Sequence, residues 1–210
     1  MNPLITRGFP HPTPLLGHAF ADLQIARTGD EHARTALGPL SGLARPWDPP
    51  SCPPLLRAEL WAWLERVVGW LNHDYSWQAE RVIPACWPAH PHLVHELAVL
   101  ACLRLSAGHA LTAEAMEDWH RYALPGFYDR MLARLGGSPC QPGSHKPWPG
   151  AGRVTDYESP DAVTKRSVVF EADVTARNAT APVSRSVASM RRAGLSVAVP
   201  NDPGAGEHIR

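Results

Sequence analysis

Across 210 residues the chain balances 20 Lys and Arg against 20 Asp and Glu, with a pI near 7.2. That leaves no bulk electrostatic pull toward nucleic acid or an anionic membrane, and no stretch approaches the about 20 apolar residues of a membrane span. The hydrophobic share of 44% is globular, but the 22 prolines and 16 glycines crowd the flanks, so packing is expected in the middle of the chain.

Residues 1–54 read as a Pro-rich, mostly flexible arm, with Phe9-Pro-His-Pro-Thr-Pro and Pro46-Trp-Asp-Pro-Pro marking extended or turn conformations. Leu16, Phe20 and Leu23 recur at helical spacing, and a weak helix follows around Glu31–Leu37. Gly17, Gly29 and Gly38 interrupt both, and helices below about 12–15 residues are marginal without a partner surface. At most one amphipathic turn of this arm is expected to dock.

Residues 55–135 form the expected core, holding six of the eight tryptophans. Leu56, Leu60, Trp63, Leu64, Val67 and Leu71 share one helical face over Leu55–His73. Pro53 and Pro54 suit the first turn, and the Asn72-His73-Asp74 cluster reads as the stop. A second helix is expected over Pro91–Ala107, where Leu93, Val94, Leu97, Leu100, Ala101 and Leu105 make a stripe wide enough for burial on more than one side. The third begins at the N-cap Thr112, carries Glu114 and Glu117 in its first turn, and is expected to stop near Leu124 because Pro125 follows. A fourth, from Pro125, sets Tyr128, Met131, Leu132 and Leu135 on one face and ends at Gly136-Gly137.

Between the first two helices, Pro84, Pro88 and Pro91 forbid regular structure, so an ordered loop is expected. Trp77 and Trp87 are assigned to pin it into the groove between those helices, with Trp63 and Trp119 as the other structural anchors. Two indoles burying about 150–250 Å² each, at about 25 cal/mol per Å², offset the ordering entropy of such a loop.

Residues 136–210 begin as a Gly/Pro linker and continue as a low-order basic tail. Val168-Val169-Phe170 and Val197-Ala198-Val199 have the composition of short strands, while Val183, Val187 and Met190 share a helical face near Arg185, Arg191 and Arg192. Disorder is the expectation, since an isolated two-stranded element is unstable. The arginines make an acidic partner or nucleic acid the alternative use of the tail.

The densest set of reactive side chains is Cys86, His90, His92, His95 and His120, with Glu96 and Glu117 nearby. Imidazole, thiolate and carboxylate are all zinc ligands, and residues three or four apart converge on a helix. The order His-x-x-His-Glu is not the zincin His-Glu-x-x-His, and one Glu-x-x-His falls short of a di-iron bundle. The competing expectation is architectural: Cys86 as a small apolar residue and His120 bonded to a carbonyl or a carboxylate. Cys86–His90 or Cys86–His120 is the sole candidate nucleophilic dyad, and no Gly-x-Ser-x-Gly or Walker loop is present. A helix-turn-helix over residues 93–123 is opposed by Glu114, Glu117 and Asp118, which would face phosphate. Four cysteines without C-x-x-C spacing fit a reduced, cytoplasmic protein, the even count leaving disulfides open, and Met1–Arg7 lacks the regions of a signal peptide.

Trp61 and Trp63, Cys86, Trp87, His90, Pro91, Trp119 and His120 follow an order that resembles a Trp-rich helical domain family of uncharacterised function, found in high-GC actinobacterial genomes, plasmids and phages. A single tryptophan follows Cys86, and none is paired before His120, where that family has pairs. The resemblance implies a helical fold and a mobile-element setting, without a mechanism.

The expectation is an all-α protein: a small three- to four-helix domain closed by a Pro/Trp-rich loop, with largely disordered N- and C-terminal arms. Its expected role is non-enzymatic, an accessory or adaptor binding another protein through Trp61 and Trp70 on the core and Arg191 and Arg192 in the tail. No catalytic residue and no cofactor is assigned. The alternatives are a zinc-dependent enzyme using the 86–96 junction, or DNA binding by the basic tail.

Overall fold

The computed structural model describes residues 6–136, 140, 144–145 and 150–180. In chain order its helices are α1 (Pro14–Thr28), α2 (Glu31–Ala36), α3 (Pro54–Asp74), α4 (Pro91–Gly108), α5 (Glu114–Asp118), α6 (Leu124–Arg134), α7 (Ala151–Glu158) and α8 (Pro160–Thr180), with a π turn at Trp119–Ala123 joining α5 to α6. The all-α class holds, with more helices than the sequence suggests. The chain divides into two units, Met1–Trp148 and Pro149–Arg210. No described helix is long and apolar enough to cross a membrane.

In the first unit α4 is the central rod. It packs on α3 and on the α5–α6 arm, so Leu93, Leu97, Ala98, Leu100, Ala101, Cys102 and Leu105 are all buried. Facing them are Leu60, Trp63, Leu64, Val67 and Leu71 of α3 and Phe127, Tyr128 and Met131 of α6, which join the same core. Leu135 is the last residue before a left-handed Gly136 with φ of 73°, a conformation glycine adopts without Cβ penalty, and this ends α6.

The N-terminal arm departs from expectation. Its α1 packs on α3 and buries Leu16 and Ala19. Ahead of it the backbone is stitched to α3: the Trp63 indole donates to the Pro10 carbonyl at 2.9 Å and the Trp70 indole to the Arg7 carbonyl at 2.9 Å. Arg66 donates to the His11 carbonyl at 3.0 Å, and the Arg7 amide donates to Asp74 at 2.8 Å. Phe9 and Phe20 meet Trp63 edge-on, with centroids 6.1 and 6.0 Å away. A partner surface supplies what the short, glycine-interrupted helix lacks alone. Trp70 is consequently buried, at 5% exposure, and is not the contact residue the sequence suggests.

Pro125 does not stop the helix from α5. The Leu124 amide reaches the Trp119 carbonyl five residues back, the π pattern, and the extra residue admits the proline without a break. Thr112 does not cap α5, whose N-cap position is Ala113. The π turn drops Trp119 into the core, where its indole donates to the Leu100 carbonyl at 3.2 Å. Around it Phe9, Trp70 and Trp119 enclose the Arg104 guanidinium at 5.1–5.6 Å.

The proline loop is ordered, but one assigned pin is misplaced. Trp77 is 99% exposed, whereas Trp87 is buried. The loop is held instead by polar bonds: Asn72 accepts from the Ile83 amide at 2.8 Å and donates to the Ile83 carbonyl at 3.0 Å, and Ser76 donates to the Arg81 carbonyl at 3.1 Å. Ile83, 2% exposed, is the residue of this loop that joins the core where Trp77 does not. An aliphatic side chain with its backbone tied down does this at less entropy cost than a bulky ring on a free turn.

In the second unit, Val168-Val169-Phe170 lies within α8, not in a strand. Ser159 and Pro160 form a helix start, Asp161 sits in the first turn, and the Lys165–Asp161 and Arg177–Asp173 pairs lie four residues apart. Arg166 lies 3.7 Å from the Tyr157 ring of α7. The expected strand at 197–199, the face at Val183, Val187 and Met190, and Arg191 and Arg192 lie outside the described residues.

Candidate metal centre and the adjoining groove

Pro84, Pro88 and Pro91 shape a rigid corner ahead of α4. The Trp87 amide bonds the Pro84 carbonyl, and the Ala89 and His90 amides bond Cys86 and Trp87, folding Trp87–Ala89 into one 3₁₀ turn. Cys86 precedes that turn and His90 sits at the N-cap position of α4. Their side chains meet, Sγ to Nε2 at 3.5 Å.

Two further residues come to the same point from beyond α6. Cys140 Sγ lies 3.5 Å from the same His90 Nε2, and the His145 ring stands 4.8 Å from the His90 ring. One ligand atom from each of Cys86, His90, Cys140 and His145 lies within 4.8 Å of all the others. His90 and Cys140 are buried, Cys86 is half-buried and His145 is exposed. Burial, with His145 and His92 beside it, holds the His90 imidazole below its usual value. Burial together with the Cys140 thiol raises Cys86. Protons alone therefore favour a neutral Cys86 thiol and a neutral His90 imidazole, and a dication would turn that thiol into a thiolate.

The remaining sequence candidates scatter. His92 lies 5.7 Å from His90, ring to ring, outside the four-donor set, and its pKa is lowered by burial and by Arg134. His95 lies on the exposed face of α4. His120 pairs with the Tyr75 hydroxyl at 3.1 Å, a phenol in place of the carbonyl or carboxylate expected. Glu96 is occupied by Arg130 and Arg134. The linker composition of residues 136–152 hides Cys140 and His145. The available signal was spacing: Cys86-x3-His90 is echoed by Cys140-x4-His145.

The same corner walls a groove of about 680 Å³ whose lining includes Trp61, Trp87, Pro49, Pro50, Pro88 and Pro91. Arg57 lies over the Trp61 ring at 5.8 Å, and its buried Nε has no acceptor among the described residues. Glu65, also in the lining, accepts from the Trp87 indole at 3.2 Å. Trp61 is partly exposed and packs against the core.

No family model matches the chain, and no curated protein or solved structure matches it either.

Proposed function

We propose that this chain is a non-enzymatic adaptor whose helical core takes an extended, proline-bearing segment of a partner protein into the Trp61 groove. The observation that carries the reading is the set of flat ring walls, Trp61 and Trp87 with Pro49, Pro50, Pro88 and Pro91. Indole and pyrrolidine faces suit the rings of a polyproline II segment, which loses little entropy on docking. Such a segment lacks amide donors at its prolines and presents free carbonyls, which the Arg57 guanidinium in the groove lining is able to bond.

Titration of the full chain with a synthetic proline-rich decapeptide, followed by tryptophan fluorescence, tests this. Saturable binding that weakens about tenfold or more in Trp61→Ala supports it. Binding unchanged in Trp61→Ala and in Arg57→Ala, or no binding at millimolar peptide, refutes it.

A further inference from the structure

We infer that Cys86, His90, Cys140 and His145 bind one Zn²⁺ as a closed structural clasp. The inference is independent of what the groove binds.

The geometry is the first argument. In a tetrahedral zinc site with Zn–S of about 2.3 Å and Zn–N of about 2.0 Å, neighbouring S and N ligands stand about 3.5 Å apart. Both sulfurs lie at that separation from His90 Nε2, 3.5 Å in each case. A single ring nitrogen has one lone pair or one proton, so it satisfies one thiol by hydrogen bonding, not two. One cation at the centre satisfies all four donors.

Charge is the second. Two thiolates and two neutral imidazoles neutralise Zn²⁺, so the site places no net charge beside the buried His90 and Cys140. Borderline-soft sulfur and nitrogen donors select zinc over magnesium or calcium, which take oxygen. On binding, each thiol releases its proton to solvent as its Zn–S bond forms, and no electron is transferred.

The third is preorganisation. Cys86 and His90 are held at the two ends of one 3₁₀ turn bounded by prolines, so half the site exists before metal arrives. Cys140 lies 50 positions after His90, and the packing of α6 on α4 closes most of that span, leaving the metal to hold the Cys140 and His145 donors in place. Because four protein donors complete the tetrahedron, no position is left for water or substrate, which assigns the ion to architecture and not to catalysis.

The test uses the full chain, purified under reducing conditions, loaded with zinc and freed of loose metal. Elemental analysis is expected to find about one zinc per chain. Competition with a chromophoric chelator should show affinity falling about tenfold or more in Cys140→Ala and His145→Ala while His92→Ala and His120→Ala keep it. Cobalt substitution should give the intense visible bands of a tetrahedral site and a thiolate charge-transfer band that weakens in Cys140→Ala. His145 is exposed, so His145→Ala should keep wild-type helical circular dichroism; if Cys140→Ala fails to fold, His145→Ala decides. Absence of stoichiometric zinc, a weak octahedral cobalt spectrum, undiminished affinity in His145→Ala, or equal loss in His92→Ala each overturns the inference.

Discussion

Replacing Trp63 with Phe tests how firmly the N-terminal segment belongs to the core. The indole is fully buried, touches Phe9 and Phe20 edge-on and donates to the Pro10 carbonyl at 2.9 Å. Losing that hydrogen bond costs about 1 kcal/mol. The smaller ring leaves a void on the order of 40 Å³, which at about 24 cal/mol per Å³ adds about 1 kcal/mol. The expected loss is therefore about 2 kcal/mol, and for a unit of this size melting should fall by about 4–8 °C. Urea titrations followed by far-ultraviolet circular dichroism give the free energy. Limited proteolysis should show earlier cleavage between Arg7 and Arg27. A cost below about 0.5 kcal/mol, with the urea midpoint also unmoved on deleting residues 1–28, would mean that the segment is loosely attached and that the reasoning fails.

Asn72→Ala strips both partners from the Ile83 backbone and should cost about 2 kcal/mol by urea denaturation, whereas Trp77→Ala should stay within about 0.5 kcal/mol. The order reverses if the indole, and not the amide, holds the proline loop. Alkaline stability follows from Cys102, whose thiol burial pushes from 9.0 up to about 12. Between those values the unfolded chain has lost a proton that the folded chain keeps, so stability falls as pH rises, by up to about 1.4 kcal/mol per pH unit. Comparing urea midpoints at about pH 8.5 and about pH 10.5 should show a loss of about 2 kcal/mol that shrinks in Cys102→Ala. An equal slope in that variant would assign the effect to Cys52, Cys86, Tyr75 and Tyr128, which burial also raises.

Helices α3, α4 and α6 were legible in the chain because their apolar residues repeat at the period of the helix, and that period is local information. Leu60, Trp63, Leu64, Val67, Leu93, Leu97 and Met131 all lie buried on the faces their spacing assigns. Cys86 and His90 were legible together for the same reason, being four residues apart on a corner stiffened by proline. What local pattern could not carry was any choice made between distant segments. Whether Trp63 and Trp70 face solvent or hold Pro10 and Arg7 depends on an arm more than fifty residues earlier. Which of Trp77 and Ile83 enters the core depends on Asn72 reaching the Ile83 backbone. Most of all, Cys140 and His145 lie in a stretch with the composition of a linker, where only the Cys-x4-His spacing marks them. Only folding α6 back along α4 brings them to His90, because ligand geometry is a property of positions in space and the sequence encodes order along a line.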